Sequence, residues 1–227
     1  MEDLIWLIPA LPLAGFAVLV FFGRRLGEPL AGWLATSAVA GSFVATVALY
    51  ADLLGKPAEE RSVEQTLFEW LPGGGLSVDL GFLADPLSVT MCLFVTGIAA
   101  LIHLYAIGYM HGDRDFTKFF VYMNLFVFSM LMLVLGNNLL VTFLGWEGVG
   151  ACSYLLVSFW FESDANASAG KKAFVTNRIG DFGFLVAMFF TFQAVGTLDY
   201  VGIVDSAPSL GTPTATVIAA MLLLGAA

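Results

Sequence analysis

The chain has 227 residues, of which 59% are hydrophobic and 12% charged, with a net charge of −9 and a mean hydropathy of +0.89. Ordinary soluble domains carry about 25% charged residues, so this composition excludes a soluble globular fold and implies an integral membrane protein. There is no basic stripe, which excludes a nucleic-acid partner.

Seven apolar spans are expected in chain order, at about Leu4–Phe22, Pro29–Leu53, Phe82–Tyr109, Phe119–Leu135, Leu139–Trp160, Ala173–Val195 and Thr214–Ala227. The first has Glu2 and Asp3 before it and Arg24 and Arg25 after it, the reverse of a secretory signal, and reads as a first transmembrane helix. Between the second and third spans, residues 54–81 form the one substantial extramembrane piece, holding five acids: Glu59, Glu60, Glu64, Glu69 and Asp79. Leu76–Phe82 alternates apolar and polar residues and Val63–Trp70 is β-prone. With Leu71–Gly75 as the turn, the segment reads as a short β-hairpin on the outer surface. Asp85 before Pro86, at the start of the third span, reads as an N-cap or first-turn acid. Only Gly136, Asn137 and Asn138 separate spans four and five, so those helices are antiparallel neighbours. The seventh span would be about 21 Å long where about 30 Å is needed, so the chain reads as part of a longer protein.

The distribution of lysine and arginine sets an orientation. Arg24, Arg25, Arg114, Lys118, Lys171 and Lys172 follow odd-numbered spans, whereas Lys56 and Arg61, diluted by acids, lie on the other side. By the positive-inside rule the N-terminus faces outward.

Glu147 is the most informative residue. It is the lone charge in Leu139–Trp160, held in Gly145-Trp146-Glu147-Gly148-Val149-Gly150. Counted back from Trp160 it lies about 20 Å deep, and an ionisable group at that depth marks an ion or proton pathway by default. The small residues around it permit close helix contact or water entry. Arg178 and Asp181 are three apart, share a helix face and can pair. Counted from Lys172 they lie roughly 9 and 14 Å deep, so Asp181 comes near the level of Glu147. Lys171 and Lys172 read as interfacial anchors, Lys172 also as a candidate inner mouth of a proton path. His103 reads as a hydrogen-bonded core histidine, with a relay as the sharper alternative.

Other apparent motifs carry nothing. Cys92 and Cys152 stand singly within apolar segments and read as small buried hydrophobes. No strand precedes Gly145-x-x-Gly148-x-Gly150, so it is no dinucleotide loop. Asp164-x-Asn166-x-Ser168 begins like a calcium loop, but Val175 stands where the closing glutamate belongs. The sequon Asn166-Ala167-Ser168 falls on the inner side.

The run Gly145-Trp146-Glu147-Gly148-Val149-Gly150-x-Cys152-Ser153-Tyr154-Leu155-Leu156 resembles the fifth-helix signature of the large antiporter-like subunit of complex I, the proton-pumping NADH:quinone oxidoreductase. Asn177-Arg178-Ile179-Gly180-Asp181-Phe182-Gly183 resembles that family's sixth helix, and Asp85-Pro86-Leu87-Ser88 with His103-x-Tyr105-x-Ile107-Gly108-Tyr109-Met110 its third. The resemblance implies an all-α polytopic membrane fold with inverted repeats, of which this chain would hold the N-terminal part as a single membrane domain. It implies that Glu147, Arg178 and Asp181 serve proton translocation, Glu147 working with a helix-seven lysine beyond this sequence. It implies no cofactor in this chain, with NADH, flavin, iron–sulfur clusters and quinone bound by other subunits. The implied partners are neighbouring membrane-arm subunits and lipid, and the implied location is the bacterial inner membrane. The large subunit of multi-subunit sodium/proton antiporters is the related alternative, and a structural membrane anchor is the alternative of another class.

Overall fold

The computed structural model describes residues 4–73 and 76–226. Eight α-helices are described: α1 (Leu7–Leu26), α2 (Leu30–Leu54), α3 (Pro86–Tyr109), α4 (Phe116–Leu135), α5 (Leu139–Val157), α6 (Asp164–Val195), α7 (Tyr200–Ser206) and α8 (Thr212–Ala226). The first six are long and apolar enough to cross a membrane; α8, with 15 residues, is shorter. Helix α1 packs on α2 and α4, α2 on α3, α4 on α5, α5 on α6, and α6 on α8. Adjacent spans joined by short turns thus lie side by side, as their turns dictate.

The hairpin forms, and it is longer than expected. Strands β1 (Val63–Gly73) and β2 (Leu76–Ala84) pair antiparallel from Val63↔Ala84 to Gly73↔Leu76. Leu71, Pro72 and Gly73, expected in the turn, are therefore strand, while Gly74 and Gly75 lie outside the described residues. At the other end the ladder carries Phe82–Ala84, which the apolar count assigned to the third span. Helix α3 begins only after Asp85. There the Asp85 carboxylate accepts from the Ser88 N–H at 2.7 Å and the Ser88 hydroxyl accepts from the Asp85 N–H at 2.8 Å, a reciprocal cap that starts the helix.

Two further boundaries differ. Helix α6 begins at Asp164, nine residues before the apolar span, because polar residues such as Asn166 and Lys171 continue a helix as readily as apolar ones once outside the hydrocarbon. Helix α7 stands where no element was expected; its seven residues are too few to show a period.

The turn between α4 and α5 clamps the hairpin end of the bundle. Asn138 Oδ1 accepts from the N–H groups of Leu140 and Val141, capping α5, while its Nδ2 donates to the Asp79 carbonyl at 2.8 Å. Asn137 Nδ2 donates to Glu64 Oε1 at 2.8 Å, the Asn137 N–H to the Gly81 carbonyl, and the Tyr200 N–H to the Asn137 carbonyl. Hairpin, turn and α7 are so joined by hydrogen bonds above an apolar cluster that includes Ile8, Leu49, Phe82, Val89, Leu131 and Leu135.

Candidate functional site

Helix α5 presents two opposite faces near its middle. Gly145 and Gly148 turn toward α4, where a Cβ on Gly145 would strike the Leu133 backbone and one on Gly148 the Ser129 side chain. That contact fixes the rotation of α5, and the residues between them, Trp146 and Glu147, are aimed at α6. Glu147 is the ninth of the nineteen residues of α5, so the geometry retains its place halfway along a spanning helix.

On α6, Arg178 and Asp181 face back. Arg178 Nη1 makes an ion pair with Glu147 Oε1 and lies 3.4 Å from Asp181 Oδ2. A single nitrogen therefore stands between two carboxylates. Trp146 Nε1 donates to the other Asp181 oxygen, Oδ1, at 2.8 Å. The Arg178 guanidinium also lies over the Phe174 ring, 4.8 Å from its centroid, one turn back on the same helix. The three charged residues expected to act together are thus in direct contact.

Their environments differ. The side chain of Asp181 is 5% exposed, that of Glu147 26% and that of Arg178 48%. Asp181 is sealed between α5 and α6, whereas the Glu147–Arg178 pair borders a cavity of about 570 Å³ lined also by Leu133 of α4 and Gly225 of α8. Helix α8 reaches this level because Gly180 allows it: a Cβ there would stand 2.9 Å from the Gly225 carbonyl oxygen. With both acids ionised the triad carries one negative charge in excess. Arg178 Nη1 lies within ion-pair distance of both acceptors.

The remaining candidates lie elsewhere. His103 is fully buried between α3 and α4. Its Nδ1 is 2.8 Å from the Ala99 carbonyl, which can only accept, so Nδ1 carries the hydrogen. Its Nε2 faces Asn124 Nδ2 at 3.5 Å, and neither contact reaches the triad. Lys172 is exposed on α6, about one and two-thirds turns before Arg178, with no ion pair among the described residues. Trp146 and Phe174 were not expected at the site. The signals were present: an indole N–H at membrane depth needs an acceptor, and Phe174 precedes Arg178 by four residues, the spacing of one helix face.

Family models match two segments: "NADH-Ubiquinone oxidoreductase (complex I), chain 5 N-terminus" over residues 70–120, and "NADH:quinone oxidoreductase/Mrp antiporter, TM" over 136–227. The chain is 46% identical to NADH-quinone oxidoreductase subunit L of Mycobacterium tuberculosis over 97% of its own length and 35% of the relative's. It is 39% identical to subunit L of Escherichia coli over 88% of its own length and 32% of the relative's. It thus spans about a third of the length of these curated relatives. Among solved structures, a chain of the Mrp complex from Dietzia sp. superposes with a TM-score of 0.82 at 25% identity, covering 98% of this chain and 23% of that one. A chain of the archaeal membrane-bound sulfane sulfur reductase superposes with a TM-score of 0.80 at 15% identity over 98% of this chain and 44% of that one, a likeness of fold alone. Sequence motifs, fold and relatives agree: the chain belongs to the antiporter-like membrane subunits of NADH:quinone oxidoreductase, where it corresponds to the N-terminal part of the subunit L family.

Proposed function

We propose that this chain is part of a proton-translocating subunit in the membrane arm of an NADH:quinone oxidoreductase. The observation that carries the reading is the Arg178 guanidinium set between Glu147 and Asp181, near the middle of two helices long enough to cross a membrane, beside a cavity. Two acids within reach of one cation, which sits closer to Glu147, form a two-state element that a change in local charge can bias.

In this reading Glu147 is the switching group. While it is free of Arg178, it holds a lysine of the family's seventh helix in its charged form. When Arg178 takes Glu147, the lysine loses its counter-ion, its proton affinity falls and it releases a proton into the path. Asp181 is the alternative seat for Arg178, and Trp146 keeps it in place. Lys172 is the candidate entrance from the inner side and His103 a candidate relay. Redox chemistry belongs to other subunits, which bind NADH, flavin, iron–sulfur clusters and quinone, and energy arrives through contacts with neighbouring membrane-arm subunits. The subunit sits in a bacterial inner membrane with its N-terminus outside. Greater identity to the oxidoreductase subunits than to the Mrp chain favours this over sodium/proton exchange.

The test is Glu147→Gln in the full-length subunit within the intact complex, following NADH-driven quinone reduction and proton uptake into sealed vesicles together. Normal assembly with reduced proton uptake is expected. Unchanged uptake with normal assembly would make Glu147 a packing contact, and loss of assembly alone would favour the anchor.

A further inference from the structure

The end of the bundle away from the hairpin carries a second cavity, of about 460 Å³, between the end of α1, the α1–α2 turn, the α3–α4 turn and the start of α4. Leu19, Val20 and Val121 form its aliphatic wall, and charged side chains form its rim.

The acids of that rim are already engaged. Glu28 accepts from the Gly112 N–H at 3.1 Å and pairs with His111. Asp113 accepts from the Asp115 N–H at 2.7 Å and from Trp160 Nε1 at 3.0 Å. Asp115 accepts from Arg114 at 3.1 Å, and Arg114 in turn is held by Glu162 at 2.7 Å. Arg24 is exposed and Lys118 half-buried, and neither forms an ion pair among the described residues. The Lys118 ammonium stands over three ring faces, 5.2 Å from the centroid of Phe161, 5.7 Å from Phe159 and 5.9 Å from Tyr122. Ring faces hold and orient a cation without neutralising it. The cavity is thus lined by two cationic side chains that have no ion pair among the described residues, beside an apolar wall, at helix ends where a membrane-crossing segment meets the headgroups.

The geometry points to a binding site for an anionic phospholipid, its phosphate held by Arg24 and Lys118 and an acyl chain lying against Leu19, Val20 and Val121. Basic pockets between transmembrane helices recognise such headgroups by charge. The aliphatic wall runs on into the exposed apolar side chains Val20, Phe21 and Phe22 of α1, which a free phosphate would not need. The site shares no residue with the Glu147 triad, and its failure or success is independent of proton translocation.

The test compares the intact complex carrying the full-length subunit, unaltered and with Arg24→Gln and Lys118→Gln together, in nanodiscs of phosphatidylcholine with or without phosphatidylglycerol. Native mass spectrometry counts the phosphatidylglycerol retained. The unaltered complex is expected to retain one more molecule per copy than the double variant, and inorganic phosphate added to phosphatidylcholine discs is not expected to replace it. Equal retention by the two complexes, replacement by inorganic phosphate, or a neighbouring subunit's carboxylate seated on Arg24 and Lys118 would each overturn the proposal. Arg24→Gln alone, at an exposed position, provides the same comparison should the double variant fail to assemble.

Discussion

At the scale of single residues, Trp146 decides how the two carboxylates share their cation. Its indole occupies Asp181 Oδ1, so Asp181 needs less from Arg178, and Arg178 is free to engage Glu147. Asp181 is nearly sealed from its surroundings, and a buried acceptor deprived of its donor costs about 1–3 kcal/mol. Trp146→Phe keeps most of the ring volume and removes only the donor. It is expected to lower stability by roughly that amount, and Arg178 is expected to move toward Asp181. A double-mutant cycle with Asp181→Ala, which removes the acceptor, followed by thermal unfolding, isolates the bond. If Trp146→Phe costs as much in the Asp181→Ala background, the loss comes from packing against Phe184 instead.

At the scale of elements, the α4–α5 contact orients the site. Two opposing effects meet at Gly145. Replacing a mid-helix glycine by alanine gains up to about 1 kcal/mol of helix propensity. Here, however, the new Cβ meets the Leu133 backbone, which cannot move aside as a flexible side-chain tip can. Overpacking of this kind costs about 1–3 kcal/mol, so the steric effect wins and Gly145→Ala is expected to destabilise the protein. Gly150 is the control: the nearest atom to a Cβ there is Asn177 Nδ2 at 3.8 Å, and Gly150→Ala is expected to be neutral or stabilising. Thermal unfolding in detergent that ranked the two substitutions equally would show that α5 is free to shift against α4. The same elements show how far sequence reasoning reaches. The antiparallel α4–α5 pair was legible because a three-residue turn leaves no other geometry, and a capping role for Asp85 because an acid before proline is a local device, although the apolar run from Phe82 hid where α3 starts. Helix α7 and the early start of α6 were not, since hydropathy reports where lipid is, not where a helix begins.

At the scale of the whole molecule, charge is sorted to the ends of the bundle, and the loops at the basic end are held by exposed acids. The Gly112 N–H, together with His111, draws the Glu28 carboxyl below its ordinary value. The Asp115 N–H and the Trp160 indole do the same for Asp113, and the Glu162 backbone N–H and Arg114 for Glu162. A carboxyl with a lowered folded value stabilises the folded loop above its unfolded value, near pH 4, and loses that contribution as pH falls through the folded one. Docking of the α3–α4 turn against Glu28 and of residues 160–162 against Asp113 and Arg114 is therefore expected to be unchanged at neutral pH and to loosen below about pH 4. Because Glu28 and Glu162 are exposed and Asp113 is partly so, the effect is expected to weaken with added salt. Hydrogen exchange of residues 111–115 and 159–163, corrected for intrinsic rates, checks it; equal protection on both sides of that range would remove these contacts from the account.

The sequence by itself determined the membrane class, the order of the long spans and the hairpin between α2 and α3, and it singled out three charged residues that the fold brings into contact. Each of these rests on properties read along the chain: run length against membrane thickness, alternation, and the cost of a charge inside an apolar segment. The tertiary structure decided what no one-dimensional reading contains. Only packing could show that Gly145 faces α4 and so turns Glu147 toward α6, that Trp146 supplies the hydrogen bond to Asp181, and that His103 lies apart from the triad. Helix rotation is the physical reason. In spans that are apolar on every side, hydropathy marks no buried face, and the rotation is set by which small residues let a neighbouring backbone come close.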